Sequence, residues 1–381
     1  MKIGYLCPDL GISPDGYKGA SSHIRGFVSA LRELGHSVDI LSPNGGIKPI
    51  DPPSVVSVIS QEKDPRLFRA LRHLLYNGSI EASLKEYLYT KKPDLIYERY
   101  SPFSAAGGAV CQALGVPHFL EVNAPLAEQG KLYRKQALQE VSELMEEAAF
   151  AAAGTFVVLT DELKDWLVSK GISENRILMK PCAVDPNLFS SEGDRISFNN
   201  KIVIGFVGSL KPWHDVELVA RTFERLQSDP RIHLLVVGDG PMRDVIKELA
   251  TKYPGRVTMT GAIAQENIPP YLRAMDIALA PYPKLDLFYF SPLKVYEYMA
   301  AGRATVATGI GQISSLIEHE QTGLLVPPQD EDRLVAAVQR LLDNPSLRKQ
   351  IGARAAKQIL KQHTWAARAQ NWIDDVAKIR K

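Results

Sequence analysis

At 381 residues the chain exceeds what one hydrophobic core usually organises, so two domains are expected. Hydrophobic residues make up 45% and charged residues 23%, an ordinary globular composition with apolar side chains enough for a large core. Lys and Arg (45) outnumber Asp and Glu (43) by only two, which excludes the broad basic field that nucleic-acid binding through phosphates demands.

Cys7, Cys111 and Cys182 are too few and too scattered for a disulfide framework or a zinc site and are expected to be small apolar packing residues in a reducing compartment. The first residues carry one lysine and are broken by Pro8 and Asp9 before a signal-like apolar run develops, and no stretch approaches a membrane span. A soluble cytoplasmic protein is the expectation.

Along the chain, short β-branched runs alternate with amphipathic helical patterns. The first half offers strands at 2–6, 37–41, 55–59, 94–98, 118–122, 155–159 and 176–179. Its clearest helix is 21–34, with Ile24, Phe27, Val28, Leu31 and Leu34 on one stripe and Gly35 as the stop. Strands follow at 202–207, 233–237, 257–260, 276–280, 304–307 and 324–326. They are continuous apolar runs, the pattern of parallel strands covered on both faces. The predicted class is therefore α/β, two doubly wound Rossmann-like lobes, 1–189 and 200–363, with a hinge in the polar stretch 190–200. The terminal helix, within 364–381, carries Trp365, Ala369, Trp372, Ile373, Val376 and Ile379 on one stripe and is expected to dock, back on the first lobe.

Ligands of doubly wound sheets bind beyond the carboxyl ends of the strands. The residues found there are Gly19-Ala20-Ser21-Ser22 in the first half; Gly208-Ser209-Leu210-Lys211-Pro212-Trp213-His214, Gly238-Asp239-Gly240-Pro241 and Gly261-Ala262-Ile263 in the second; and the helix start Ser291-Pro292-Leu293-Lys294. Small residues let a phosphate or sugar approach the backbone, and helix amino termini offer unpaired N–H groups and a positive dipole end. Glu297, on the first turns of the helix that opens at Ser291, is placed to accept hydrogen bonds from a vicinal diol such as ribose. Together these loops point to a nucleoside diphosphate bearing a sugar. No G-x-G-x-x-G follows a strand, since Gly238 and Gly240 run into Pro241, which argues against a dehydrogenase.

The fragments G-H-S-V-D-I-L-S-P, V-V-L-T-D-E-L, P-C-A-V-D-P-N-L-F, G-F-V-G-S-L, V-V-G-D-G-P-M-R and E-Y-M-A-A-G-R-A-T-V-A-T with T-G-L-L-V-P-P resemble, in order and spacing, the retaining family-4 glycosyltransferases of the GT-B fold. The resemblance spans essentially the whole chain. It implies an active site in the cleft between the lobes and transfer of a sugar from a nucleotide-sugar donor, UDP preferred over GDP, to a hydroxyl acceptor, with anomeric configuration kept. Glu297 matches the second of the two glutamates that mark the family; the position of the first holds Tyr289, which leaves the donor's sugar open. Many relatives place Arg after the glycine equivalent to Gly208; here Ser209 stands there, so Lys211 or His214 and Lys294 must supply the cations for the leaving diphosphate. Ile263 is expected to meet the base through backbone groups. Asn123, where many relatives carry a histidine, could position a sugar hydroxyl, and Glu121 with Glu98-Arg99-Tyr100 could bind acceptor hydroxyls or form a buried ion pair.

No cofactor and no metal are expected, because Asp330-Glu331-Asp332 heads an amphipathic helix where acids serve the dipole. Residues 66–76, R-L-F-R-A-L-R-H-L-L-Y, could lie on an anionic membrane, but a core-packed helix with a solvated basic face is favoured. The alternatives are an epimerase or phosphorylase of the same architecture and a non-catalytic two-lobed sugar-binding protein.

Overall fold

The computed structural model describes residues 1–46 and 62–379. Residues 55–59 therefore lie outside the described residues. The chain divides into two compact units, Met1–Pro181 with Ala369–Lys381, and Cys182–Arg368.

The first unit is built on β1 (Lys2–Leu6), β2 (Ser37–Leu41), β3 (Leu95–Arg99), β4 (His118–Val122), β5 (Thr155–Val158) and β6 (Ile177–Met179), all parallel, in the order β2-β1-β3-β4-β5-β6. Its helices are α1 (Gly19–Glu33), α2 (Pro65–Lys91), α3 (Ala106–Leu114), α4 (Leu126–Arg134), α5 (Gln139–Ala152) and α6 (Asp161–Ser169). The stripe Ile24, Phe27, Val28, Leu31 buries α1 on the sheet, and Gly35 turns away at φ 84°. Thr160 caps α6 by accepting from the Leu163 N–H, with Asp161 and Glu162 in the first turn where the dipole favours acids.

The second unit repeats the plan with β7 (Ile202–Val207), β8 (Ile232–Val237), β9 (Val257–Met259), β10 (Ile277–Ala280), β11 (Ala304–Thr308) and β12 (Leu324–Val326), parallel in the order β12-β11-β10-β7-β8-β9. Between and after them lie α7 (Val216–Leu226), α8 (Arg243–Lys252), α9 (Pro269–Ala274), α10 (Leu293–Ala300), α11 (Gln312–Leu316), α12 (Glu331–Asp343) and α13 (Pro345–Gln362). Every residue of β8, β10 and β11 is buried, which is why these strands read as unbroken apolar runs. Phe206, Phe223, Leu234, Val236, Ile277 and Val306 form the centre of the core. Asp330 caps α12 through the Arg333 N–H, while Glu331 and Asp332 pair with Arg221 and Arg225, so these acids have structural employment.

The division between the units falls after Pro181, earlier than the polar stretch 190–200. That stretch is part of the second unit and is tied to α9: Arg273 Nε donates to the Asp194 carbonyl at 2.6 Å and the Ile196 N–H to that of Pro270 at 3.2 Å. Polarity there reflects an exposed strap, not a hinge.

The last helix, α14 (Trp365–Ile379), belongs to the first unit from Ala369 onward. Trp372 is fully buried in an aromatic box, its ring 5.5, 5.2 and 5.4 Å from Phe27, Tyr97 and Phe119. The edge-on geometry is the favoured one for aromatic pairs. The Lys180 amine, buried, donates to the Asp375 carboxylate at 2.7 Å and to Asn371 Oδ1. Ile379, at the stripe's end, is half exposed. Cys7, Cys111 and Cys182 are buried and in no disulfide, and burial pushes the Cys7 thiol up to about 12. No helix among the described residues is long and apolar enough to cross a membrane.

Candidate functional site

In the second unit the strand order reverses between β7 and β10, and the loops that leave these two strands carry the largest concentration of predicted site residues. Gly208 follows β7 at φ 145°, and a Cβ on it would stand 3.0 Å from the Lys294 amine. Gly238 follows β8 at φ 141°, where a Cβ would lie 2.0 Å from the Gly208 carbonyl oxygen. Only glycine fits either place. The two loops are locked together by the Gly208 N–H on the Val237 carbonyl and the Leu210 N–H on that of Asp239, both at 3.0 Å.

Above them α10 begins at Leu293, after Pro292, with no side-chain cap on its first amides. A helix start left open in this way keeps its N–H groups for a ligand. Lys294 and Glu297, three residues apart, share one face, and each is 7% exposed. The Lys294 amine makes no hydrogen bond. It sits 4.0 Å over the Phe206 ring and 5.4 Å from that of Tyr282, whose π faces hold it by cation–π attraction. Burial lowers its pKa to about 7 against a weak opposing pull from Glu297. Burial likewise raises Glu297 to about 7, opposed by a hydrogen bond from Gln265 and by the Lys294 charge. Two ionisable groups are thus held where water solvates their charged forms poorly, a frequent mark of groups that await a partner.

The neighbouring residues divide by what they have left to offer. Ser209 is exposed, and Lys211 is half-buried with its amine 5.8 Å over the Trp213 ring. His214 is ill suited to be a second cation: burial and then the Lys294 charge hold its pKa well below the ordinary value, and its Nδ1 donates to the Ser209 carbonyl. Lys211 and Lys294 are left as the lysines of this loop cluster. The Ser291 hydroxyl is engaged, accepting from the Cys182 N–H at 2.9 Å and donating to Gln312 Oε1 at 2.5 Å, so Ser291 has only its main chain for a ligand. Ile263 is half-buried in the loop between β9 and the short 3-10 helix Gln265–Asn267. Sequence reasoning missed Gln265, a loop glutamine without any local signal, and the Phe206–Tyr282 pair, which the sheet brings together from distant segments.

The first unit has its own polar cluster, beyond the ends of β1, β3 and β4. His23 Nε2 meets Glu121 Oε1 at 2.5 Å, and Arg99 Nη1 stands 3.8 Å from Glu121 Oε2; His23 and Glu121 are fully buried and Arg99 nearly so. In the sheet register Arg99 faces Glu121. A second pair lies on the opposite face, His118 Nε2 with Glu98 Oε2 at 2.9 Å. Asn123 is half-buried, its amide donating to the Glu121 carbonyl at 3.4 Å and its Oδ1 without a partner. Gly19 is exposed at the first turn of α1. His23 was missed, although its spacing of four from Phe27 puts it on the buried stripe of α1.

Residues 17–188 match the family described as Glycosyltransferase Family 4, and residues 201–344 the one described as Glycosyl transferases group 1. Among similar proteins, the alpha-D-kanosaminyltransferase of Streptomyces kanamyceticus is 24% identical over 64% of the chain and 66% of its own length. An uncharacterized glycosyltransferase of Methanocaldococcus jannaschii is 25% identical, over about half of each chain. The MMP alpha-(1->4)-mannosyltransferase of Mycolicibacterium hassiacum is 22% identical over 93% of both. Of solved structures, the sucrose-phosphate synthase of Thermosynechococcus elongatus superposes with a TM-score of 0.74 at 20% identity, covering 100% of this chain and 99% of that one. Anabaena HepE in complex with UDP-glucose gives 0.71 at 16%, covering 99% and 100%. At these identities the structural likeness establishes the fold, two doubly wound units of the GT-B class. With the two family matches in sequence along most of its length, the chain belongs to the group 1, family 4 glycosyltransferases.

Proposed function

We propose that the protein transfers a sugar from a nucleoside-diphosphate sugar, UDP preferred over GDP, to a hydroxyl acceptor with retention of anomeric configuration and without a resident metal. The observation that carries this reading is the buried, unpartnered Lys294 amine beside an uncapped helix start, with Glu297 one turn further on. The diphosphate takes the α10 amides, Lys294 and Lys211, and the ribose diol takes Glu297. Complexes of Anabaena HepE with UDP and with UDP-glucose lend support from the same fold.

In the reaction the acceptor oxygen approaches the anomeric carbon on the face that the diphosphate leaves. The carbon–oxygen bond to the phosphate breaks, its electron pair stays on the diphosphate, and the acceptor's proton passes to a diphosphate oxygen. Lys294 is suited to this because its charge costs least once the dianion has arrived, when the leaving group restores the pKa that burial depressed. No carboxylate nucleophile is needed in this route, so catalysis is placement and electrostatics. Asn123 and Glu121 belong to the acceptor side.

A thermal-shift panel of UDP, GDP, ADP and CDP tests the donor class, since a ligand that binds only the folded chain raises its apparent stability. The largest shift is expected with UDP. Release of nucleotide that depends on an added acceptor then separates a transferase from an epimerase or a binding protein. Absence of any nucleotide shift would overturn the reading.

A further inference from the structure

Between the end of β10 and the start of α10 the chain reads P-Y-P-K-L-D-L-F-Y-F-S-P, residues 281–292, and its four rings gather beside Lys294. The Tyr282 ring lies 5.4 Å from the Lys294 amine, edge-on to Phe288 at 5.1 Å and stacked with Phe290 at 6.3 Å. Phe288 and Phe290 meet at 5.4 Å, and Tyr289 closes on Phe290 at 4.4 Å. Tyr282, Phe288 and Tyr289 are buried and Phe290 is half-buried. A continuous wall of rings therefore runs from the unbonded cation to the last residue before Ser291. The charged residues of the segment, Lys284 and Asp286, are exposed. Polar side chains that touch the segment are engaged: Thr308 Oγ1 accepts from the Tyr282 N–H at 2.9 Å, and Gln312 Oε1 accepts from the hydroxyls of Ser291 and Tyr296. From 287 to 293 the sequence holds no carboxylate and no side-chain amide.

We propose that the transferred sugar carries a methyl-terminated substituent in a place where glucose presents a hydroxyl, and that Tyr289 and Phe290 receive it. The methyl is that of a 6-deoxyhexose or of an N-acetylhexosamine. This rests on the donor placement proposed above. With the diphosphate on the first amides of α10 and the ribose at Glu297, one turn along the helix, the sugar is carried the other way, past the helix start. The residues met there are 288–290. A hydroxyl set against these rings gives up water without gaining a partner, whereas a methyl group leaves water at a gain. The discrimination has a ceiling, because an apolar pocket rejects an isostere that merely adds a hydroxyl by no more than about a hundredfold.

The test is titration calorimetry of the full chain with UDP, UDP-glucose, UDP-6-deoxyglucose and UDP-N-acetylglucosamine. One of the two methyl-bearing donors is expected to bind about ten- to a hundredfold more tightly than UDP-glucose, and which one it is locates the methyl on the sugar ring. Tyr289→Gln, which puts an amide where the ring stands, should lower that ratio by about tenfold, and Phe290→Ala by about fivefold. The ratio is taken within each variant, so a general loss of affinity does not mimic the effect. Should Tyr289→Gln fail to fold, the wild-type series and Phe290→Ala decide the matter. Binding of UDP together with UDP-glucose that matches or exceeds both methyl-bearing donors overturns the proposal and leaves the nucleotide site standing. Absence of UDP binding overturns the nucleotide site, and this proposal with it. A preference that survives undiminished in the folded variants removes the methyl group from the Tyr289–Phe290 wall.

Discussion

The buried charges of the two units are handled in opposite ways. In the first unit Arg99, Glu121 and His23 answer one another across the β3–β4 register and the second turn of α1, and Glu98 is answered by His118. In the second unit Lys294 has two aromatic faces for company and no acceptor. A buried ion that is paired holds a fold in one arrangement; one without a partner costs stability until a ligand supplies it. The difference fits the proposed function, in which the first cluster is scaffold and the second binds the donor.

The comparison breaks most visibly if Glu121 is removed. Glu121→Ala strands the Arg99 charge and should cost about 3–5 kcal/mol of stability, read by urea unfolding, with the UDP dissociation constant left within about twofold. A loss below about 1 kcal/mol would mean that the pair is not structural. Lys294→Met gives the opposite sign. It keeps the side chain's bulk and deletes an unbonded amine, so the unliganded protein should gain about 1–3 kcal/mol while its response to UDP collapses.

That gain is pH-dependent with a definite sign. The folded-state pKa of Lys294 is lowered from 10.5 to about 7, so between these values the unfolded chain holds more protons and wild-type stability climbs with pH. The advantage of Lys294→Met is therefore full below pH 7 and fades toward pH 10.5. A melting-temperature difference that is flat across this window would remove the desolvated lysine from the picture. On the same grounds UDP binding at pH 8 should take up close to one proton, measured by calorimetry in buffers of different ionisation heat, and Lys294→Met should take up none. The smallest expected effect is that of Asn123→Ala, which gives up one long hydrogen bond: up to about tenfold in turnover and almost nothing in melting temperature.

Much of this was legible along the chain, for reasons that differ by element. The strands of both units could be located because a parallel strand covered on both faces must be apolar throughout, as β8, β10 and β11 are. Lys294 and Glu297 could be named together because helical spacing puts them on one face of one short segment. The Phe206–Tyr282 pair around the lysine could not, since β7 and β10 become neighbours only in the folded sheet. His214 was a candidate cation because it stands where relatives carry a basic residue; its burial and the nearness of Lys294 are properties of the fold. The stretch 190–200 resembled a linker because its side chains are polar, whereas its attachment to α9 is made through carbonyls that any sequence carries.

The most direct test of the ligand site is the dissociation constant of UDP for the wild-type protein and for Glu297→Ala, measured by titration calorimetry at pH 7.5. A charge-assisted hydrogen bond of about 1.5–3 kcal/mol to the ribose diol corresponds to an expected weakening of tens-fold or more, with the variant still folded. Equal affinity for the two proteins would contradict the assignment of Glu297 to the nucleotide and with it the reading of the second unit as the donor side.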